Sequence, residues 1–179
     1  MTPGQTVGPF FGYALPYPGG AELVPPGTSG AVRLSGLVLD GAGQPVPDAL
    51  LELWQPAPDG SVVRRAGSLH RDGWTFTGWG RTATDNAGRY AFTTIEPGRA
   101  GGAPFFALTV FGRGLLDRLF TRVYLPDDAD ELARDPLLAA LPADRRATLV
   151  ARRDDGGLAF DVVLQGERET VFLAYGPGR

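Results

Sequence analysis

The sequence has 179 residues, of which 43% are hydrophobic and 21% charged, with a formal net charge of −3. This length suits one domain with its own core, and the even spread of 26 glycines and 16 prolines predicts many turns rather than a disordered linker. The chain shows no basic stripe typical of nucleic-acid binding, no apolar run long enough to span a membrane and no signal peptide, so a cytoplasmic location is the default prediction.

Strand-like segments follow one another along most of the chain. An N-terminal arm over residues 1–30 lacks strand or helix periodicity at its start, yet it carries aromatic residues where a polar terminus is expected. Alternating apolar and polar residues, or β-branched and aromatic runs, then predict strands over 31–39, 49–55, the two halves of 80–98, 105–112 and 120–125. Two segments, 40–43 and 85–88, share an Asp-x-x-Gly pattern that predicts similar turn chemistry.

The last third of the chain changes character twice. Residues 127–150 are predicted as a helical insertion, because Asp135 followed by Pro136 is typical of a helix start, and ADRRATLVA predicts a second short helix. Residues 151–179 are predicted to end in a strand pair over 159–165 and 169–175. Residues 31–126 form the main strand region. Roughly seven or eight short strands without crossover helices predict one all-β domain, 1–179, an antiparallel β-sandwich with a short helical insertion and an extended N-terminal arm.

Few residues offer obvious chemistry. The chain has one histidine, His70, and no cysteine, whereas a zinc, copper or non-haem iron site normally draws on two or more such ligands. The chain is therefore not expected to own a redox metal. His70 lies close to Ser68 but outside any G-x-S-x-G elbow. The acidic run over 127–131 is interpreted as the first turn of a helix, where the helix dipole favours negative charge.

Arg113 stands between two glycines directly after an apolar strand, in the segment FGRGLL. Two interpretations stay open from the residues alone. The simpler is an arginine at a strand end, held over the surface. The other is a positive charge presented to an anionic ligand, with the glycines allowing close approach of another surface. These residues by themselves predict a β-sandwich with an aromatic arm and no evident catalytic group.

Several segments between residues 34 and 128, among them the AP-strand-FGRG segment over 103–114, resemble the intradiol ring-cleaving dioxygenases, β-sandwich enzymes that use non-haem Fe(III). The others are LSGLVLDGAGQPVPDALLELWQPAPDG, GWGRTATDNAGRYAFTTIEPG and TRVYLPDD. The arm TPGQTVGPFF and the ending FDVVLQGERETVFLAY resemble, more narrowly, the α subunit of members built from α and β chains. The resemblance implies an enzyme complex that inserts both atoms of O₂ between the hydroxyl-bearing carbons of protocatechuate, giving 3-carboxy-cis,cis-muconate.

The sequence departs from the catalytic members of this family at the iron ligands, which are two tyrosines and two histidines. By resemblance, the histidine positions fall on Phe105 and Ala107, and the tyrosines belong to segments that match residues 61–63 and 99–102 here. None of these residues is His or Tyr. The resemblance therefore implies that this chain binds no metal and pairs in a hetero-oligomer with a β subunit that holds the Fe(III).

In such an assembly the resemblance implies that the arm reaches into the substrate pocket of the β subunit. The matching positions are Thr6, Gly8 and Pro9 in the arm and Arg113 in the FGRG segment. Gly8 and Pro9 are expected to form a wall against a flat aromatic ring, and Arg113 to supply charge near the carboxylate of a small aromatic substrate. The aromatic residues Phe10, Phe11 and Tyr13 would anchor the arm, partly on the partner. No catalytic residue is expected in this chain.

Two alternatives stay open at this point. A non-enzymatic, transthyretin-like β-sandwich that binds a ligand explains the strand pattern and the missing iron ligands, but not the arm with its QTVGP segment. A homomeric catechol dioxygenase is disfavoured, because that enzyme needs two histidine ligands and the chain has one histidine.

Overall fold

The computed structural model describes residue 6 and residues 8–65 and 71–175. The strands in these ranges are β1 (Ala31–Leu39), β2 (Leu50–Trp54), β3 (Trp79–Ala83), β4 (Arg89–Ile95), β5 (Phe105–Phe111), β6 (Leu119–Tyr124), β7 (Arg152–Asp154), β8 (Gly157–Ala159) and β9 (Val162–Val163). The helices are α1 (Phe11–Ala14), α2 (Ala129–Arg134), α3 (Pro136–Ala139) and α4 (Ala143–Ala147). None of these helices is long and apolar enough to cross a membrane.

The strands form two sheets around a shared core. One sheet has the order β4-β1-β8-β7, with β9 also pairing β1, and the other has the order β3-β2-β5-β6. Neighbouring strands are antiparallel except that β1 runs parallel to β8 and β9. The predicted β-sandwich with a short helical insertion is thus confirmed, with two short parallel pairings that the sequence did not predict.

Two Asp-x-x-Gly turns help to carry the chain from one sheet to the other. In each turn the aspartate Oδ1 accepts the N–H groups two and four residues later, at 2.8 Å for Asp40 and 2.9 Å for Asp85. Gly43 and Gly88 take φ values of 76° and 71°, which residues with a side chain rarely adopt. The predicted similarity of the two turns is confirmed. They do not close hairpins, because β1 and β2 lie in different sheets, as do β3 and β4.

The core lies between the sheets and is built by the inward residues of alternating strands. In β4 and β5 every second residue is buried, as expected when one face of a strand meets the core. Residues buried in this core come from both sheets and include Leu34, Val38, Leu51, Leu53, Phe92, Phe106, Leu108 and Val110. The outward residues of β2, β5 and β6 face away from this core, and other segments of the chain cover part of them.

The helical insertion covers one end of that outer face. Helices α2, α3 and α4 lie within the predicted range 127–150, and a second apolar cluster forms beside them around Tyr124, Leu138 and Leu149. Tyr124 alternates with the core residue Val123, so it belongs to the outer face of the four-stranded sheet. Asp135 is the N-cap of α3, as the Asp-Pro pair predicts. The insertion therefore seals the outer face near the end of β6.

The predicted terminal strands are partly wrong. The segment 159–165 forms only the end of β8 and the two-residue β9, β7 and β8 form a hairpin that was not predicted, and 169–175 is not a strand. The N–H of Thr170 donates to the Val163 carbonyl at 2.9 Å, whereas the N–H of Leu173 donates to the Phe120 carbonyl at 2.7 Å. These two carbonyls belong to different sheets, so the segment bridges the sandwich instead of pairing along one strand.

Candidate functional site

The register of the four-stranded sheet brings two distant turns together. Leu50 at the start of β2 lies opposite Phe111 at the end of β5. The residues just before β2 and just after β5 therefore lie at the same end of this strand pair, although they are far apart in sequence. Asp48 and Arg113 occupy these positions, and the Arg113 Nη2 donates to Asp48 Oδ2. A candidate charged site is thus created by strand pairing alone.

The backbone fixes both members of this pair. Arg113 is the second residue of a turn in which the N–H of Leu115 donates to the Gly112 carbonyl at 3.2 Å. Gly114, the third residue, has φ of 89°, as such a turn requires. The Arg113 side chain is 62% exposed and that of Asp48 is 23% exposed. Arg113 therefore projects a charge outward from a fixed turn, which agrees with both interpretations that the sequence left open.

The arm is fastened to its own chain beyond residue 14. The Arg81 Nη1 donates to the Leu15 carbonyl at 3.0 Å, and a pair of backbone hydrogen bonds joins the chain near Leu23 to Thr93 of β4, where N–H of Leu23 donates to the Thr93 carbonyl at 2.8 Å. Before residue 15 the arm is not simply extended, since Phe11–Ala14 form α1. Hydrogen bonds thus hold the arm on its own chain from residue 15 onward.

The three arm aromatics do not share one environment. Phe11 is buried within this chain, whereas Phe10 is 78% exposed and Tyr13 is 84% exposed. Exposed aromatic side chains of this size are costly in water, and they are enriched where proteins bind other proteins. Phe11 therefore anchors the arm on its own chain, and Phe10 and Tyr13 are the residues that remain for contact with another surface.

The predicted site residues lie in two places, the arm and the turn after β5, and Gly12 and Asp48 lie between them. Thr6 and Pro9 are exposed, and Gly8 has φ of 75° with open space where a Cβ would stand. No hydrogen bond or ion pair between these arm residues and Arg113 is present among the described residues. The connection runs through Gly12, whose added Cβ would lie 3.6 Å from the Asp48 carbonyl oxygen. The arm thus touches the residue that holds Arg113.

The positions that match the iron ligands of the family carry no donor atoms in β5. Phe105 and Ala107 lie on the outer face of the sheet, where Ala107 stands between Trp54 and Arg122 of the neighbouring strands. The Arg122 guanidinium carbon is 4.1 Å from the centroid of the Phe105 ring. A phenyl ring and a methyl group offer no lone pair to a metal, and a guanidinium is a cation at this place. The side chains at these two positions therefore do not fit as ligands of Fe(III).

The phenol that pairs with Phe105 across the sheet is already engaged. The Tyr124 hydroxyl accepts a hydrogen bond from Arg122 Nη1 at 3.0 Å and donates to Asp135 Oδ1 at 3.1 Å. Desolvation by burial raises the pKa of Tyr124 to about 12, partly opposed by Arg122. Its hydroxyl therefore stays protonated near neutral pH and serves packing. Arg and Tyr two residues apart on one strand are the sequence signal for this group, since such residues share a face.

Other candidate groups have structural roles or lie beyond the described ranges. Asp128 caps α2, and Asp130 and Glu131 lie in its first turn, as the acidic run predicts. Hydrogen bonding from Arg153 lowers the pKa of Asp127. His70 and Ser68 lie outside the described residues. In the ranges that are described, no group of three or more His, Cys, Asp or Glu residues could hold a metal ion.

Comparison with known proteins identifies relatives along the whole chain. A family model described as Dioxygenase matches residues 20–105. The protocatechuate 3,4-dioxygenase alpha chain of Burkholderia cepacia is 42% identical over 192 residues, which cover 97% of this chain and 96% of that one. The beta chain of the same organism's enzyme is 34% identical over 156 residues, covering 78% of this chain and 66% of that one.

A solved structure supports the same relationship at the level of the fold. The dioxygenase domain of a dioxygenase and carbohydrate-binding protein fusion from Streptomyces sp. SirexAA-E superimposes with a TM-score of 0.61 at 26% identity. The match covers 92% of this chain and 98% of that domain. Similarity over this length does not favour the alternative of a non-enzymatic transthyretin-like module.

Proposed function

This chain belongs to the intradiol ring-cleaving dioxygenases, and we propose that within this family it is the iron-free α subunit of a protocatechuate 3,4-dioxygenase. A partner β subunit would hold the Fe(III) and cleave protocatechuate with O₂. Both oxygen atoms enter the product, 3-carboxy-cis,cis-muconate, as the bond between the two hydroxyl-bearing carbons breaks. The observation that carries the proposal is similarity over the whole chain combined with Phe105 and Ala107 at the histidine positions.

Two observations support a β subunit as the partner. An alpha chain and a beta chain of the Burkholderia cepacia enzyme are both relatives of this chain, which supports a hetero-oligomer of two related subunits. Phe10 and Tyr13 also leave an aromatic surface exposed on the arm. Covering such side chains on a partner would contribute on the order of 1–3 kcal/mol each. The cytoplasmic location of the complex stays a prediction.

We assign substrate contacts to Thr6, Gly8, Pro9 and Arg113, and no catalytic residue to this chain. Gly8 and Pro9 offer a surface with little side chain, which suits the face of a planar ring. Arg113 offers a permanent cation that can bind the substrate carboxylate through two parallel hydrogen bonds. The α subunit would then orient the ring and balance its charge, while the reacting carbons meet the β subunit's metal.

Co-expression tests this assignment. We expect the isolated chain to purify without iron and without ring-cleaving activity, because its β5 ligand positions lack donor atoms. Co-expressed with the β subunit homologue from the same organism, it should form a complex whose iron is stoichiometric with the β chain and which consumes O₂ with protocatechuate. Tightly bound iron and ring cleavage by the isolated chain would contradict the proposal.

Arg113→Ala is expected to lower kcat/KM for protocatechuate about 10- to 100-fold, because a hydrogen bond to a charged group contributes roughly 1.5–3 kcal/mol. Steady-state oxygen uptake by the purified complex measures this effect, and subunit ratio and iron content should stay unchanged. Arg89→Ala is the matched control, since Arg89 forms a comparably exposed ion pair with Asp85 in an unrelated turn. Equal losses in both variants, or none in Arg113→Ala, would remove Arg113 from the site.

A further inference from the structure

Asp48 holds an unusual backbone position beside the candidate site. Its φ of 66° is the only positive value among the non-glycine residues that the structure describes. Aspartate and asparagine tolerate this left-handed region better than most residues with a side chain, but the conformation still needs support from its surroundings. The support comes from the segment on either side of Asp48.

That support is a hydroxyl clamp from the end of β3. The Thr84 hydroxyl accepts the N–H of Ala49 at 2.9 Å and donates to the Val46 carbonyl at 2.9 Å. The N–H of Thr84 also donates to the Ala49 carbonyl at 2.8 Å. Hydrogen bonds thus hold the backbone on both sides of Asp48, and this fixes the position from which its side chain extends. In the pair with Arg113, Asp48 is the rigid member.

The guanidinium keeps most of its donors for another ligand. Arginine has five N–H donors arranged as a planar fork, and the bond to Asp48 uses Nη2. Among the residues that the structure describes, Asp48 is the sole partner of this guanidinium. A single contact at one corner restrains the guanidinium and leaves Nε, Nη1 and the second N–H of Nη2 as donors for a carboxylate. Restraining the guanidinium before binding removes part of the entropy cost of ordering a long side chain.

The same residue meets the arm. The Gly12 position lies against Asp48, since a Cβ added to Gly12 would be 3.6 Å from the Asp48 carbonyl oxygen and 3.7 Å from Asp48 Cβ. Gly12 is four residues from Gly8 and three from Pro9. Asp48 is therefore bonded to the turn between β5 and β6 and lies beside the arm, and these two parts of the chain carry the assigned substrate contacts.

We propose that Asp48 is a positioning residue, which orients Arg113 toward the substrate carboxylate and sets the arm beside it. This inference rests on the proposed function. Asp48 is proposed to act by orienting Arg113 and not by its own charge. Another side chain with an oxygen acceptor in the same left-handed backbone conformation should therefore preserve the effect. Two substitutions separate these features. Asp48→Gly keeps the backbone conformation and the backbone atoms that face Gly12 but loses the acceptor, whereas Asp48→Asn keeps the conformation, the Cβ and a side-chain oxygen.

The test uses the αβ complex with two substrates, protocatechuate and catechol, which has the same hydroxyls but no carboxylate. In Asp48→Gly the ratio of kcat/KM for protocatechuate to that for catechol should fall on the order of tenfold, mainly through KM for protocatechuate. In Asp48→Asn the ratio should fall no more than about twofold. With Arg113→Ala already present, Asp48→Gly should change the ratio no further, because the two residues act as one unit.

The outcomes distinguish a failure of the positioning role from a failure of the proposed function. An unchanged ratio in Asp48→Gly, or an equal loss with both substrates, overturns the positioning role while leaving the subunit assignment intact. An Asp48→Asn variant as impaired as Asp48→Gly also overturns it, because charge rather than orientation would then matter. A wild-type complex that fails to assemble or to cleave protocatechuate overturns the proposed function itself. Thermal unfolding of each complex checks that subunit packing is preserved.

Discussion

Gly36→Ala is expected to leave little folded protein, lowering the free energy of unfolding by at least about 3 kcal/mol. Gly36 lies in the middle of β1, where a Cβ would be 1.8 Å from the Phe160 carbonyl oxygen and 2.5 Å from its carbon. The obstacle is main chain, so no side-chain rotation can relieve it. Either β1 or the crossing segment would have to move.

The segment around Phe160 cannot move without loss of stability, because hydrogen bonds hold it on both sides of the contact. The N–H of Phe160 donates to the Ser35 carbonyl at 2.8 Å, and its own carbonyl accepts the buried Tyr90 hydroxyl at 2.6 Å. One residue later, Asp161 Oδ1 accepts the N–H of Leu37 at 2.9 Å. The carboxylate replaces a backbone acceptor between β8 and β9, where the parallel pairing with β1 is interrupted. Displacing Phe160 would therefore break several hydrogen bonds at once.

Urea unfolding of the full chain measures this loss. Gly12→Ala is the matched control, since the nearest atom to its new Cβ would be 3.6 Å away, and its effect should stay within about 1 kcal/mol. Tyr90→Phe removes one hydrogen bond without a clash and should cost about 1–2 kcal/mol. If Gly36→Ala unfolded at the same urea concentration as the control, the close crossing of Phe160 over β1 would be wrong.

The strands that the sequence predicts well are those that face the core. β1 occupies the predicted range 31–39, and β5 and β6 differ from their predicted ranges by about one residue. Alternation of apolar and polar residues decides such segments, because one face must be buried whatever the partner strand is. The same signal fails for 169–175. Alternation does not predict whether a neighbouring strand lies alongside, and 169–175 forms no strand.

The same difference between local signals and long-range pairing applies to the candidate site. Arg113 could be singled out from its flanking glycines, since a turn and an exposed charge are local properties. Asp48 could not, because its role depends on the pairing of Leu50 with Phe111, and a single sequence does not give the register of distant strands. The scarcity of metal donors needs no structure at all, since it follows from one histidine and no cysteine in the composition.

Asp135→Ala is expected to loosen the helical insertion and to lower the free energy of unfolding by about 2–4 kcal/mol. Asp135 is only 3% exposed. Its Oδ1 accepts the N–H groups of Leu137 and Leu138, at 3.0 and 3.2 Å, and the Tyr124 hydroxyl at 3.1 Å. Alanine would leave all three donors without their acceptor. Because Tyr124 belongs to β6, this one carboxylate joins the insertion to the sheet.

Two variants separate this role from ordinary helix capping. Asp128→Ala removes the exposed N-cap of α2, whose Oδ1 accepts the N–H of Glu131 at 2.9 Å, and should cost about 1 kcal/mol. Asp135→Asn keeps an acceptor oxygen and should lie between the two. Hydrogen exchange then locates the effect. In Asp135→Ala, amides in residues 136–147 should exchange faster, whereas those of β1 and β4 should follow global unfolding only. Equal costs for Asp128→Ala and Asp135→Ala would mean that the bond to Tyr124 contributes nothing and that other contacts, among them the backbone hydrogen bonds between Tyr124 and residues 149–151, hold the insertion on β6.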